Sequence, residues 1–290
     1  MRVVSLLPSA TEIVCALGAR AALVGRSHEC DFPAGVEALP ALSSPRLDPR
    51  APGRAIHDRI EELVTRGLSI YEIDAPLLRA LAPDVIVTQT LCEVCAATPD
   101  DLAAALRDWT GGAPRVVSLA PLSLADVLAD VLRVGAALGL DDAAARLRSR
   151  LEARIESLSA LGRAARTRPR VAVLEWLDPL IAGGNWMPEL VERAGGVALF
   201  GKAGLHSPRI SWPELEAAAP DLVALIPCGF GLAQARAEAA REPRLGRFRT
   251  AVLDGNQFFN RPGPRIVESL EILLGVVHPE LTPQQGVTAS

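Results

Sequence analysis

This sequence has few aromatic residues, no long apolar run and no excess of basic over acidic residues. Aromatic side chains make up 4% of the 290 residues and apolar side chains 49%, a balance typical of buried parallel strands packed with Ala/Leu-rich helices. No apolar run approaches the ~20 residues that a membrane span needs, so we expect no membrane insertion. The net charge of −4 leaves no basic stripe for phosphates, which argues against nucleic acid as a partner.

The start of the chain lacks the features of a secretory signal. Its first apolar run is broken by Ser5, Pro8 and Ser9, whereas a signal peptide needs an uninterrupted apolar core of roughly 7–15 residues. We therefore expect a cytoplasmic protein. Five cysteines in a chain of this length do not form a disulfide framework, and in that compartment they would be free thiols.

Short apolar runs alternate with segments long enough for a helix, which predicts an α/β fold with parallel sheets. A similar pattern, a helix end followed by a Pro-Asp turn and a strand, occurs in Leu78–Val87 and in Leu215–Ala224. We therefore predict two α/β lobes, residues 1–122 and 168–290, joined by a helical segment over residues 123–167. The predicted strands are Val3–Leu7, Ala22–Val24, Val85–Thr88, Val116–Leu119, Val171–Leu174, Leu222–Ile226 and Ala251–Leu253.

The opening residues predict a ligand-binding edge. Val3–Leu7 is a buried strand in this interpretation, and Pro8 ends it where a helix can begin, with Ser9 or Thr11 as the N-cap. A strand that leads through a short loop into a helix presents free backbone N–H groups to a ligand. By contrast, no Ser-His-Asp, paired-carboxylate or phosphate-loop pattern is present, so we predict no enzyme.

Several motifs resemble those of the cobalamin-binding and iron-siderophore-binding receptors of ABC importers, most of all the cobalamin branch. The resemblance covers nearly the whole chain and implies the class III periplasmic-binding-protein fold, with two Rossmann-like lobes joined by a long backbone helix. It also implies that a corrinoid or another metal chelate binds in the cleft between the lobes. The motifs are Val-Val-Ser-Leu-Leu-Pro-Ser-Ala-Thr-Glu, Leu-Val-Gly-Arg-Ser-His-Glu-Cys-Asp-Phe-Pro, Leu-Ala-Pro-Asp-Val-Ile-Val-Thr-Gln, Ala-Gly-Gly-Asn-Trp and Arg-Pro-Gly-Pro-Arg-Ile-Val-Glu.

From the chemistry of the ligand that this resemblance implies, we predict which side chains line the cleft. A corrinoid is a large flat ring with amide arms, so it needs aromatic planes and scattered polar partners. The candidate planes are Trp176, Trp186, Phe230, Phe258 and Phe259, although each could equally be a core residue. The other predicted ligand-binding residues are Pro8, Ser9, Ser27, His28, Glu29, Cys30, Gln89, Cys92, Glu93, Cys95, Asn185, Cys228, Asn260 and Arg261.

Cysteines and one histidine are concentrated on the loops that follow predicted strands. Cys92 and Cys95 form a Cys-x-x-Cys pair, and His28 and Cys30 follow another strand, so the four side chains could complete a tetrahedral metal site. Three interpretations remain open. The group could contact the corrinoid, with His28 or a thiolate as an axial metal ligand; it could form a separate zinc or redox site; or the thiols could simply pack in the core.

The resemblance further implies docking on a membrane permease through one acidic residue on each lobe. Lobe one offers Glu93, but the matching stretch of lobe two carries Arg261 and Arg265, and a reversed charge would repel an arginine on the permease. We therefore predict a cytoplasmic, receptor-like protein that binds a cobalamin-type corrinoid, with permease docking in doubt. The alternatives are a thiol-based zinc or redox protein on the same fold, and an exported substrate-binding subunit of a cobalamin or siderophore ABC transporter.

Overall fold

The structure is a computed structural model that describes residues 1–66, 68–90, 99–106 and 112–281. Its strands are β1 Val3–Ser5, β2 Leu23–Arg26, β3 Ser43–Pro45, β4 Tyr71–Ile73, β5 Val85–Gln89, β6 Arg115–Leu119, β7 Arg170–Leu177, β8 Leu180–Ala182, β9 Val197–Ala198, β10 Leu222–Leu225 and β11 Thr250–Val252. Its α-helices are α1 Pro8–Ala16, α2 Gly53–Thr65, α3 Ala75–Leu81, α4 Pro99–Ala105, α5 Leu124–Leu138, α6 Asp141–Ala164, α7 Met187–Arg193, α8 Trp212–Ala218, α9 Leu232–Ala240 and α10 Ile266–Val277.

The chain divides into two compact units. Unit 1 comprises Met1–Ala51, Ala55–Pro121 and Ala125–Arg150, and unit 2 comprises Pro52–Arg54, Leu122–Leu124 and Leu151–Ser290. The division falls within α6, a helix of 24 residues. The connecting segment consists of two helices, α5 and α6, which are separated at Gly139 with a positive φ of 68°.

Unit 1 is built on a four-stranded parallel sheet in the order β2-β1-β5-β6. Every residue of β1 and β5 is buried, as expected for parallel strands that are covered on both faces. Val4 and Ile86 from this sheet, together with Leu6 just after β1, pack with Leu42 and Leu78 into one apolar cluster. A separate antiparallel pair is formed by β3 and β4.

Unit 2 is built on a five-stranded sheet in which β11, β10 and β7 are parallel, and β7 also pairs with β8 and β9. The core includes Leu174 of β7 and Leu225 of β10, which pack with Leu215 and Leu245. All seven predicted strands are present, with ends that shift by up to three residues. The strands β3, β4, β8 and β9 were not predicted, because runs of two or three residues carry no periodic signal.

The repeated sequence pattern corresponds to a repeated local structure. Helices α3 and α8 both end at an alanine in the left-handed conformation, Ala82 with φ 39° and Ala219 with φ 42°. The aspartate that follows accepts a hydrogen bond from a backbone N–H at the start of a neighbouring strand, Asp84 from Arg2 at 2.6 Å and Asp221 from Arg170 at 2.7 Å. In each unit, therefore, a left-handed alanine and a hydrogen-bonded aspartate connect a helix to a central strand.

The predicted N-cap of α1 is wrong. The helix begins at Pro8, with Leu7 as the N-cap and no side-chain capping bond, because proline at the first helical position has no N–H that needs a partner. Ser9 and Thr11 therefore lie inside the first turns, where both are buried. No helix within the described residues combines the length and the apolar character that crossing a bilayer requires.

Candidate ligand-binding site

Each sheet has a topological switch point, where ligands of open α/β sheets bind beyond the carboxyl ends of the strands. In unit 1, the chain continues from β1 to β2 on one side, and β5 lies on the other side of β1. In unit 2, β7 has β9 on one side and β10 on the other. We call the loops at these strand ends the carboxyl edge of unit 1 (residues 6–9, 27–30 and 89–90) and the carboxyl edge of unit 2 (residues 175–176, 183–186, 227–230 and 255–261).

The carboxyl edge of unit 1 contains a network of buried hydroxyl and thiol groups. Ser5 Oγ donates to Leu7 O at 2.9 Å and accepts from Thr11 Oγ1 at 2.8 Å. The Sγ atom of Cys30 lies 3.0 Å from Thr11 Oγ1 and 3.5 Å from Ser27 Oγ. These contacts hold the loop after β2 against the first turn of α1, which fixes the backbone on both sides of His28.

His28 is a neutral, oriented imidazole on this edge. Burial, helped by the positive charge of Arg26, lowers the pKa of His28 to about 4, so the ring is uncharged at neutral pH. Its Nδ1 lies 2.8 Å from Ser43 Oγ, and its ring centre lies 5.4 Å from that of Tyr71. In the tautomer that donates from Nδ1 to Ser43, Nε2 keeps its lone pair, and that is the form of histidine that binds metals.

Glu175 lies at the switch point of unit 2. Its backbone carbonyl accepts from Cys228 N at 3.1 Å, one residue beyond the last parallel pair, Leu174 with Leu225. Ser207 Oγ donates to Glu175 Oε2 at 2.5 Å. Burial raises the pKa of Glu175 to about 7, although the hydrogen bonds from Ser207 and from the Gly184 backbone oppose the shift. The carboxyl is therefore a mixture of neutral acid and carboxylate at neutral pH.

The turn over residues 183–186 is held tightly beside Glu175. Gly184 N donates to Ser207 Oγ at 3.2 Å, and a Cβ at Gly184 would lie 2.4 Å from Ser207 N, so only glycine fits there. Asn185 has a positive φ of 51° and donates from its N–H to Leu205 O at 2.7 Å. Asn185 Oδ1 and Trp186 Nε1 are buried without a hydrogen-bond partner among the described residues, which costs about 1–3 kcal/mol for each atom.

The predicted aromatic planes differ in their exposure. Phe259, Phe230 and Trp186 are only 1%, 2% and 5% exposed, so their rings pack in the core of the structure. Trp176 and Phe258 are partly exposed. The Trp176 ring lies 5.2 Å from that of Phe230, and its Nε1 donates to Asp178 O at 3.1 Å. Trp176 and Phe258 are thus the two predicted planes that retain accessible surface.

The last loop of the carboxyl edge of unit 2 is fixed by polar contacts. Asn260 Nδ2 donates to Pro227 O at 3.3 Å, and Arg261 Nη2 donates to Asn256 Oδ1 at 3.1 Å. The Arg265 guanidinium lies 5.4 Å from the centre of the Phe258 ring. Arg261 and Arg265 are both buried, so the positive charge on which the argument against permease docking rested is not exposed.

The predicted metal set is only partly within the described residues. Cys92, Glu93 and Cys95 lie outside them, so the Cys-x-x-Cys site stays a prediction. In the part of the chain that the structure describes, no group of three or more His, Cys, Asp or Glu side chains could hold a metal ion. Cys30 is buried against hydroxyl groups, and Cys15 is a free cysteine.

The described members of the predicted ligand set all lie on the two carboxyl edges, while their contacts with a ligand stay predictions. In unit 1 they are Pro8, Ser9, Ser27, His28, Glu29, Cys30 and Gln89, and in unit 2 they are Trp176, Asn185, Trp186, Cys228, Phe230, Phe258, Phe259, Asn260 and Arg261. Sequence reasoning missed Glu175, Ser207 and Ser43. Glu175 could have been found as the first polar residue after the apolar run Val171–Leu174, but nothing in the local sequence marks the two serines.

Comparison with known proteins gives a family match and a set of similar folds. The family model described as periplasmic binding protein matches residues 3–254. A periplasmic heme binding protein from Pseudomonas aeruginosa superposes with a TM-score of 0.73 and 22% identity, covering 98% of this chain and 95% of that one.

Two further solved structures are similar over nearly their whole length. The periplasmic heme-binding protein RhuT from Roseiflexus sp. RS-1 has a TM-score of 0.65 and 23% identity, with 97% of this chain and 99% of that chain covered. The periplasmic vitamin B12 binding protein BtuF of Vibrio cholerae has a TM-score of 0.63 and 19% identity, with 95% and 96% covered. No curated protein gave a significant match to the sequence. At these identities the likeness concerns the fold, and the α/β fold predicted from the sequence is confirmed.

Proposed function

Because the chain belongs to the periplasmic binding protein family, we propose that it binds a planar metal chelate, specifically a cobalamin-type corrinoid. The family consists of substrate-binding proteins rather than enzymes. Similar folds are named as heme-binding and vitamin B12-binding proteins, which supports a ligand of this chemical class. The cobalamin-like motifs of the sequence favour a corrinoid over heme.

The proposal rests mainly on the protonation state and the orientation of the His28 ring. An imidazole that is neutral, held at Nδ1 by Ser43 Oγ at 2.8 Å and located on a carboxyl edge can offer Nε2 to a metal. Imidazole suits cobalt and iron alike. Because the hydrogen bond to Ser43 orients the ring, Ser43 acts as a positioning residue for the metal contact.

Spectroscopy of the bound corrinoid tests this role. With a corrinoid that carries an exchangeable water on cobalt, the wild type should shift the visible bands as imidazole replaces that water. His28→Ala should lose the shift and bind at least about tenfold more weakly, and Ser43→Ala should weaken binding by about tenfold while keeping the shift. His57→Ala, which removes a histidine paired with Glu61 on α2, should behave as the wild type.

Two outcomes would contradict the assignment in different ways. An unchanged spectrum and affinity in His28→Ala would show that His28 does not bind the metal, although the protein would still bind the corrinoid. If the protein bound heme but no corrinoid, the proposal of a planar metal-chelate ligand would stand, and the specific proposal of a corrinoid would be wrong.

We also propose that the protein works in the cytoplasm. The free thiol of Cys15 supports a reducing compartment, in which thiols persist. Cell fractionation with the untagged chain should then find the protein with cytoplasmic markers. Recovery from the periplasm or the outer surface of the membrane would instead support the alternative of an exported importer subunit.

A further inference from the structure

We propose that a polar recess of unit 2, formed by Glu175, Asn185, Trp186 and Ser207, recognises a neutral carboxamide arm of the ligand and rejects a carboxylate arm. The proposal rests on the proposed function, since it concerns how the same ligand is selected. It adds two residues, Glu175 and Ser207, that the sequence motifs do not assign to the ligand.

The recess lies where the sheet of unit 2 can receive a ligand. Glu175 is the residue at which β7 passes the end of its parallel pairing with β10, and its carbonyl is held by Cys228 N at 3.1 Å. On the other side, Ser207 Oγ joins the Glu175 carboxyl to Gly184 N. The recess therefore lies at the switch point, which is the ligand-binding position of open α/β sheets.

No cation among the described residues balances the Glu175 carboxyl. The pKa of Glu175 is set by burial and by hydrogen bonds from Ser207 and Gly184, with no contribution from an Arg, Lys or His side chain of the described residues. The titratable groups on the segments packed against it are Lys202, His206, Arg209 and Cys228. A carboxyl in such a setting is mostly protonated below pH 7, and in that form it can donate an O–H and accept at its carbonyl oxygen.

Two consecutive residues of the same turn each carry a polar atom without a partner in the described part of the chain. Asn185 Oδ1 is an acceptor and Trp186 Nε1 is a donor, and both are buried without a hydrogen bond in the described part of the chain. Trp186 is more than nine-tenths buried. A primary carboxamide offers two N–H donors and one carbonyl acceptor, so it can satisfy the orphan acceptor, the orphan donor and the neutral acid together.

Access to these atoms requires a movement of the adjoining segment. Residues 202–207 lie against Asn185, since Asn185 N donates to Leu205 O at 2.7 Å and Gly204 N donates to Asn185 O at 3.3 Å. Leu205 at the tip of this segment is 58% exposed, so few apolar contacts hold it. We infer that ligand binding exchanges the two backbone bonds for contacts with the carboxamide.

A carboxylate arm would be rejected for two reasons. It has no N–H to give to Asn185 Oδ1, and its charge would have to be buried beside a carboxyl that no cation of the described residues balances. A site that is built for hydrogen-bond donors discriminates strongly against an analogue that lacks them, because its own buried polar atoms remain unpaired.

Two corrinoids with the same ring test the proposal: cobinamide, with carboxamide arms, and cobyrinic acid, with carboxylate arms. At pH 6.5 the wild type should bind cobinamide at least about tenfold more tightly, the factor that one hydrogen bond supplies. Asn185→Gly keeps a residue that accepts positive φ but removes Oδ1, and Trp186→Phe keeps the ring but removes Nε1. Each should reduce the preference to about threefold or less.

Glu175→Gln should keep the preference, because an amide side chain also offers a donor and an acceptor. Glu192→Gln, on the exposed surface of α7, serves as the matched control and should bind both corrinoids as the wild type does. Equal affinity of the wild type for the two corrinoids would overturn the proposal while leaving corrinoid binding intact. Failure to bind either one would instead reject the proposed function. Thermal unfolding of each variant confirms that a lost preference does not reflect a lost fold.

Discussion

At the scale of single residues, the burial of Glu175 makes the stability of the protein depend on pH. Its pKa is about 7 in the folded protein against an ordinary value of 4.5, so the folded state holds the proton more tightly than the unfolded state. The resulting stability is fully present below pH 4.5, falls as pH rises through 7, and is lost above that.

Glu175→Gln should therefore stabilise the protein at high pH. At pH 8.5 we expect the free energy of unfolding to exceed that of the wild type by about 2–3 kcal/mol, and at pH 4.5 the difference should vanish. Denaturant titrations at the two pH values measure this, with Glu192→Gln as the control. A difference of equal size at both pH values would show that folding does not raise the pKa of Glu175.

Site residues that directly follow a strand could be predicted from the sequence, whereas their hydrogen-bond partners in distant segments could not. His28 and Asn185 follow strands, and they were predicted as ligand-binding residues from that position together with the ligand that the family resemblance implies. The contacts that give them their properties are not local: Ser43 lies 15 residues from His28, and Ser207 lies 32 residues from Glu175. The tertiary fold brings these pairs together, so their partnership leaves no pattern in the sequence.

At the scale of elements, the end of α6 depends on a glycine for its packing. A Cβ at Gly162 would lie 2.4 Å from Arg193 O and 2.7 Å from Ala194 C at the end of α7. Both neighbours are backbone atoms, which cannot turn aside as a flexible side chain can. The close approach of α6 to the end of α7 is therefore possible only without a side chain at this position.

Gly162→Ala should destabilise the protein, although alanine is the better helix former. We expect the clash to lower the free energy of unfolding by about 1–3 kcal/mol, against the gain of about 0.5–1 kcal/mol that this exchange usually gives inside a helix. Gly246→Ala, where nothing lies within 4 Å of the added Cβ, is the control. A stabilised Gly162→Ala would contradict the packing described here.

The secondary structure was largely predictable because its signals lie within each element. The buried strand β10 is a continuous apolar run and β5 begins with one, Val85–Val87. The repeated Pro-Asp turn marks the strand that follows in both halves of the chain. The N-cap of α1 was not predictable in the same way. Ser9 and Thr11 are good capping residues, but Pro8 starts the helix first, and the hydroxyl of Thr11 bonds to Ser5 instead.

At the scale of the whole molecule, the chain has the periplasmic-binding-protein fold, and the carboxyl edges of its two units carry side chains of different chemistry. Unit 1 presents a neutral histidine that is suited to a metal. Unit 2 presents partly exposed aromatic surface at Trp176 and Phe258, together with the Glu175 carboxyl, whose pKa is raised by burial. The sequence predicted the fold class and the family correctly, because motifs over nearly the whole chain carry both. It did not predict the protonation states, which depend on burial in the folded protein.

Equilibrium binding of a cobalamin-type corrinoid to the purified, reduced protein tests the central claim most directly. A titration followed by the visible spectrum, with equilibrium dialysis for the amount bound, should show saturable binding at micromolar concentrations. A corrinoid at 100 times its Kd should also raise the free energy of unfolding by about 2.7 kcal/mol. The absence of saturable binding and of stabilisation with every corrinoid and with heme would contradict the account.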